Sequence, residues 1–337
     1  VATEARPFAA ARNRRVLLVV GLSAVVAAAA VVGITVLQTR GERTTVPGAV
    51  THVRPGPPPL ELELGLRSDP EARALAQAQT LFDQDRQAAR AAAIFGRYHS
   101  VEAQLGLAFA SWRGSSSLAA VKQLAAAHPN DPAALLNLGW ADYQAGRNAD
   151  AAAAWRRTAA GYPDSPYGVD AQDALHGGPP GLPPIETGLE LPKALQNLPA
   201  ATQVAALKRA AARPDAEAKL LYGATLWNLL RMPVSAERQF AAAARLVPHD
   251  AVARTTAAAA LFSKSSPTRA FARLGPLTAV FPHSAVVEFH LGVLLLYVGE
   301  RAKSAKQLRA AIADGPRSAY AKPARTLLAV LVRTRSK

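Results

Sequence analysis

Cysteine is absent from all 337 residues. Disulfides, thiolate zinc sites, cysteine nucleophiles and a lipid-modified N-terminal cysteine are therefore excluded, and redox usage says nothing of compartment. Aromatic residues make up only 6% of the chain although 50% of it is apolar. Alanine and leucine carry most of the apolar content, which suits close helix–helix contact better than a large central core. Acidic residues are outnumbered, 24 against 39 Lys and Arg, for a net charge of +15. The basic residues are spread along the chain without RGG, zinc-finger or helix-turn-helix patterns, so nucleic acid is not the expected partner. They read as a solvated basic surface, or as one attracted to anionic lipid head groups or an acidic partner.

The motifs of common chemistry are missing as well. No G-x-x-x-x-G-K-[ST], G-x-S-x-G or H-E-x-x-H occurs. Gly177-Gly178 is followed by prolines rather than by a helix with a basic residue, so it is not a phosphate-binding loop. His128, His249 and His283 fall at the proline turns between repeats, the last two 34 residues apart, and His290 has only Glu288 near it in sequence. Catalysis, cofactors and metals are not expected. An enzyme using His290 or His176 is the remote alternative.

What the chain does contain begins with an uncharged run of 22 residues, Val16 to Leu37. As a helix it spans roughly 33 Å, enough for a bilayer core. Arg6, Arg12, Arg14 and Arg15 precede it, while Arg40 and Arg43 follow with Glu42 between them. This bias puts residues 1–15 in the cytoplasm, 16–37 in a bacterial-type inner membrane as a single pass, and the rest outside the cytoplasm. The rival is a signal peptide cleaved near Ala28-Ala29-Ala30, although the run exceeds the usual signal-peptide core. Residues 38–68 read as a proline- and glycine-rich spacer, with Pro55-Gly56-Pro57-Pro58-Pro59 extended and Leu60 to Leu64 alternating like a short strand. Gly188-Leu189-Glu190-Leu191 repeats that alternation, and a pairing of the two stretches is one expectation.

Pro214, Pro248, Pro282 and Pro316 recur every 34 residues, and Pro129 and Pro163 are separated by the same interval. Two amphipathic segments lie between successive prolines, the signature of stacked helical hairpins. Asp69-Pro70, Ser100, Asp131-Pro132, Ser165-Pro166, Asp215, Asp250, Ser284 and Ser318 are the expected helix starts. Within the units stand Leu138-Gly139, Gly146, Ala151, Trp155 and Pro163, then Trp227, Ala236, Phe240 and Pro248, then Leu291-Gly292, Gly299, Leu308 and Pro316. This pattern resembles the tetratricopeptide repeat family. The resemblance implies an all-α solenoid of about seven hairpins with a C-terminal capping helix at Pro323 to Val332. Residues 69–176 would hold the first hairpins and 200–337 the rest. The proline-rich stretch 177–199 reads as a loop inserted in one hairpin and projecting from the array, or as a tether between two sub-arrays.

In such arrays the first helices of successive hairpins line a concave groove that receives a protein or peptide. Carried over, the groove candidates are Leu136, Trp140, Tyr143, Thr225, Asn228, Phe262, Phe289, Leu296 and Tyr297. Asn137 matches one position of the clamp with which some members grip acidic tails. Ala103 and Leu107 do not, so that specialised function is not implied. The expectation is a membrane-anchored, non-catalytic scaffold or chaperone-like accessory that docks envelope or secreted proteins. The alternative is a basic surface binding anionic lipid or envelope polymer.

Overall fold

A computed structural model describes residues 53–83 and 86–333, which form two compact units divided between Gly177 and Gly178. All regular structure among the described residues is helical. The stretch Val16 to Leu37 lies outside them. No helix within them is long and apolar enough to cross a membrane.

The N-terminal unit stacks α1 (Pro70–Asp83) on α2 (Ala88–Phe95), α3 (Val101–Ala110) on α4 (Ser115–Ala127) and α5 (Pro132–Gln144) on α6 (Asn148–Gly161), closed by α7 (Pro166–His176). Short polar residues start these helices as the sequence suggests. The Asp69, Ser100, Asp131 and Ser165 side chains accept the backbone N–H of Ala72, Ala103, Ala134 and Gly168. Each satisfies a donor that the first turn leaves open, worth about 1 kcal/mol. At two helix crossings, α5 on α6 and α3 on α2, a glycine allows the close approach. A Cβ built on Gly139 would stand 2.2 Å from Trp155 Nε1, and one on Gly106 would stand 2.4 Å from Phe95. A side chain at either position would run into the facing ring, so glycine is required there.

The C-terminal unit begins with the short α8 (Lys193–Gln196) and α9 (Ala200–Ala211). It continues with α10 (Ala216–Ala224), α11 (Pro233–Leu246), α12 (Ala251–Ala259), α13 (Thr268–Leu274), α14 (Leu277–Val280), α15 (Ala285–Tyr297), α16 (Arg301–Asp314) and α17 (Ala321–Arg333). Helices α10 and α11 pair, as do α15 and α16, and α17 packs on α16. The hairpin after Asp250 has a broken second arm, because Gly275-Pro276 separates α13 from α14. Proline lacks the N–H a continuous helix needs and clashes with the preceding turn. Leu274 and Leu277 nevertheless both reach the core.

Several expectations are corrected. The hairpin expected from Ser165 is a single helix, since Gly177 and Gly178 turn the chain away with φ of 65° and 80°. The start expected at Ser318 moves to Ala321, because the Ser318 hydroxyl turns back to the Gly315 carbonyl. Ser284 begins its helix without a side-chain cap. The alternating stretches at 60–64 and 188–191 are not strands and belong to different units.

The larger correction concerns the two proline-rich stretches. The described end of the spacer does not stand off as a tether. Pro58, Leu60 and Leu62 are buried against the N-terminal unit. The stretch after Gly177 does not project either. Pro183, Pro184, Ile185 and Thr187 are buried in the C-terminal unit. Each stretch is an extended strap laid along the helices of its own unit.

Candidate grooves, each filled by an extended strap

The N-terminal strap is held by side chains that read its main chain. Buried Asn137, on α5, accepts the Glu61 N–H at 3.1 Å and donates to the Glu61 carbonyl at 2.8 Å. Its remaining amide hydrogen goes to the Ala133 carbonyl at 2.9 Å, which fixes the rotamer. One carboxamide thus satisfies both main-chain groups of one residue, as a neighbouring strand would. Gln79 donates to the Leu60 carbonyl at 3.1 Å, and the Tyr167 hydroxyl accepts the Glu63 N–H at 3.2 Å. Burial pushes the Tyr167 phenol well above its ordinary range, so it stays neutral. Further along, Gln144 Nε2 lies within 3.0 Å of the carbonyls of Arg54, Pro55 and Gly56. The Arg54 guanidinium stacks 3.5 Å above the Tyr143 ring and bonds to the Tyr143 carbonyl.

A π-turn builds the second site. At Thr225–Leu229, α10 widens by one residue, with Leu230 N–H bonding to the Thr225 carbonyl. Such bulges recur at functional positions because they re-aim consecutive side chains. Here Trp227 Nε1 donates to the Pro183 carbonyl at 2.7 Å. Asn228 accepts the Ile185 N–H at 3.2 Å and donates to the Ile185 carbonyl at 2.8 Å. From α15, the Tyr297 hydroxyl donates to the Leu182 carbonyl at 2.9 Å. Lys264 bonds to the Pro179 carbonyl.

His290 completes this site in a defined state. Its Nδ1 faces the Val286 carbonyl at 2.7 Å and so donates; its Nε2 faces the Glu186 N–H at 3.1 Å and so accepts. Both partners demand the neutral ring. Burial lowers its pKa to about 4, partly offset by the bond to Val286. Burial also raises the Glu186 carboxyl to about 7, and the nearby phenol of Tyr320 is displaced upward.

The sequence candidates separate into two groups. Leu136, Phe262, Phe289 and Leu296 are core residues, at 0%, 4%, 0% and 7% exposure. Leu136 packs in the core of the N-terminal unit and the other three in that of the C-terminal unit, Phe262 from just past the end of α12. Trp140, Tyr143, Thr225, Asn228 and Tyr297 are only partly buried. Of these, Tyr143, Asn228 and Tyr297 touch the straps. Trp140 packs on Tyr143 and Trp155 at ring separations of 6.1 and 4.8 Å. The Thr225 hydroxyl turns back to the Leu221 carbonyl. Gln79, Gln144, Tyr167, Trp227 and His290 were missed as strap-holding residues.

One signal was available for the straps. Residues 55–62 read Pro-Gly-Pro-Pro-Pro-Leu-Glu-Leu, and residues 180–187 read Pro-Gly-Leu-Pro-Pro-Ile-Glu-Thr. Both glycines have positive φ, 81° at Gly56 and 72° at Gly181. The burial pattern matches as well: Leu60 and Ile185 are 2% and 1% exposed, Leu62 and Thr187 are 7% and 6%.

Among the described residues, no group of three or more His, Asp or Glu side chains is placed to hold a metal ion. No protein-family model matches the chain, and no curated protein matches it. Among solved structures, the TPR2AB domain of yeast Sti1 in its pHSP90 complex matches at 14% identity, covering 78% of this chain and 98% of that one with a TM-score of 0.29.

Proposed function

We propose that the chain is a non-catalytic docking scaffold, or chaperone-like accessory, that takes extended segments of partner proteins in its grooves. One observation carries this reading. Each unit already holds an extended peptide through carboxamides that satisfy both main-chain groups of one residue. Such contacts supply affinity for an extended chain without demanding a particular side chain, and flanking pockets add selectivity. In this proposal Val16 to Leu37 anchors the protein in a bacterial-type inner membrane and the grooves face envelope or secreted clients.

In-cell photo-crosslinking from a probe at Tyr143 in the full-length protein tests the docking role. The expected result is a discrete protein adduct that disappears with Trp140→Ala. The opposing result is an adduct to the chain's own residues 54–56 alone, with salt-sensitive crosslinks from basic positions to lipid or polymer. It would replace docking by charge-driven adhesion, for which the net charge of +15 is the motive.

A further inference from the structure

Both grooves are occupied, and by the same kind of peptide. The two straps share Pro-Gly-x-Pro-Pro-(Leu/Ile)-Glu at positions 55–61 and 180–186. They bury the same two side-chain positions, 60 and 62 in one and 185 and 187 in the other. Both are clamped by an asparagine carboxamide, but from different local helix geometry and one residue apart in register. Asn137 grips Glu61 from a regular helix, whereas Asn228 grips Ile185 from a π-turn assisted by Trp227 and His290. The shared element is therefore the peptide's shape and sequence, presented to two different sets of donors.

From this we infer that the straps are pseudo-ligands. The grooves' clients are extended, proline-rich segments carrying Pro-Pro followed by an aliphatic residue and glutamate, and a client enters by displacing the strap in cis. This rests on the docking role proposed above and specifies its ligand class and its regulation. The physical basis is threefold. Prolines hold the segment near its bound conformation before binding, so less entropy is lost on docking. Aliphatic side chains at alternate positions enter the apolar grooves, as Leu60 and Leu62 do. A covalently attached strap competes at high effective concentration, so a free client binds weakly until the strap is loosened.

The test uses the full chain and a fluorescent peptide with the sequence of residues 54–65, read by anisotropy. Leu60→Ser with Leu62→Ser weakens the strap while leaving Asn137, Gln79 and Tyr167 in place. The double variant is expected to bind the peptide at least tenfold more tightly than the wild type, and adding Asn137→Ala is expected to remove the gain. A peptide of the same composition in scrambled order separates groove binding from attraction to the basic surface. Equal binding of both peptides overturns the inference. So does a folded double variant that binds no better than the wild type. If the double variant does not fold, hydrogen exchange on the wild type decides. Saturating peptide is expected to accelerate exchange at Glu61 and Glu63, and unchanged exchange overturns displacement. Tight peptide binding without any client adduct at Tyr143 removes the docking role and keeps the pseudo-ligand. A client adduct that the peptide does not compete away does the reverse.

Discussion

Replacing Glu186 by glutamine should make the C-terminal unit more stable, and only above mildly acidic pH. Glu186 sits on the strap between Ile185 and Thr187, both buried. Burial raises its carboxyl from 4.5 to about 7. The folded state therefore holds this proton more tightly than the unfolded chain does. Its contribution is fully present below pH 4.5 and is lost as pH rises toward 7. The difference corresponds to about 3 kcal/mol as an upper value, since each pKa unit is worth about 1.4 kcal/mol. Glutamine keeps the shape without the charge. The difference between variant and wild type should be near zero at pH 4 and grow toward that limit by pH 8. Trp227 is the single tryptophan of this unit, and its indole N–H bonds to the strap at Pro183. Its indole resonance, followed through urea titrations at each pH, reports unit and strap together. His290 and Glu288 titrate in both proteins and drop out of the difference. A difference independent of pH, or a variant less stable at pH 8, would refute the assignment of Glu186 to a desolvated site.

Four further outcomes follow from the geometry. His290, neutral with a pKa lowered to about 4, contributes stability that is present above 6.5 and lost as pH falls toward 4, so Glu186→Gln should unmask an acid-side loss of up to about 3 kcal/mol in the same titrations. Asn137→Ala removes the two bonds to Glu61 and should destabilise the N-terminal unit by about 2 kcal/mol, with exchange at Glu61 and Glu63 rising first. Gly139→Ala drives a methyl into Trp155 and should cost about 1–3 kcal/mol in denaturant melts of that unit. Asp131→Ala removes the acceptor for Ala134 N–H, 2.8 Å away, and should cost about 1 kcal/mol in the same melts.

The helices were legible because their signals are local. Asp69, Asp131, Asp215 and Asp250 cap helices within three residues of themselves, and a 34-residue proline period needs no knowledge of the partner hairpin. The hairpin after Asp250 keeps the proline period from Pro248 to Pro282 although Gly275-Pro276 breaks its second arm. The straps were not legible for the opposite reason. Proline-rich stretches have no internal hydrogen bonds, so their composition reads alike in a free linker and in a bound peptide. What separates the two is distant: Asn137 lies 76 residues beyond Glu61, and His290 lies 104 beyond Glu186. Four of the nine groove candidates, Leu136, Phe262, Phe289 and Leu296, are core, because repeat position alone does not fix which way a side chain faces. Leu136 and Phe289 each stand one position before a residue that does reach a strap, Asn137 and His290, and one residue turns a helical side chain by about 100°.

The buried neighbours of Asn137 explain why the carboxamide serves as the reading element. A lysine or arginine there would need a carboxylate to leave water, whereas an amide carries one donor and one acceptor face and matches a peptide unit without charge. Its third bond, to Ala133 one helical turn back, uses the only remaining hydrogen and leaves a single productive rotamer. Asn228 meets Ile185 in the same way from a helix that first had to widen by one residue. Two helices of different local geometry thus arrive at one solution for an extended main chain. Selectivity then falls to the side chains at 60 and 62, and at 185 and 187. Replacing Ile185 by a polar residue of similar size should therefore release the C-terminal strap and shift the Trp227 indole resonance while leaving α10 and α15 folded, and an unmoved resonance would assign strap binding to the main-chain contacts alone.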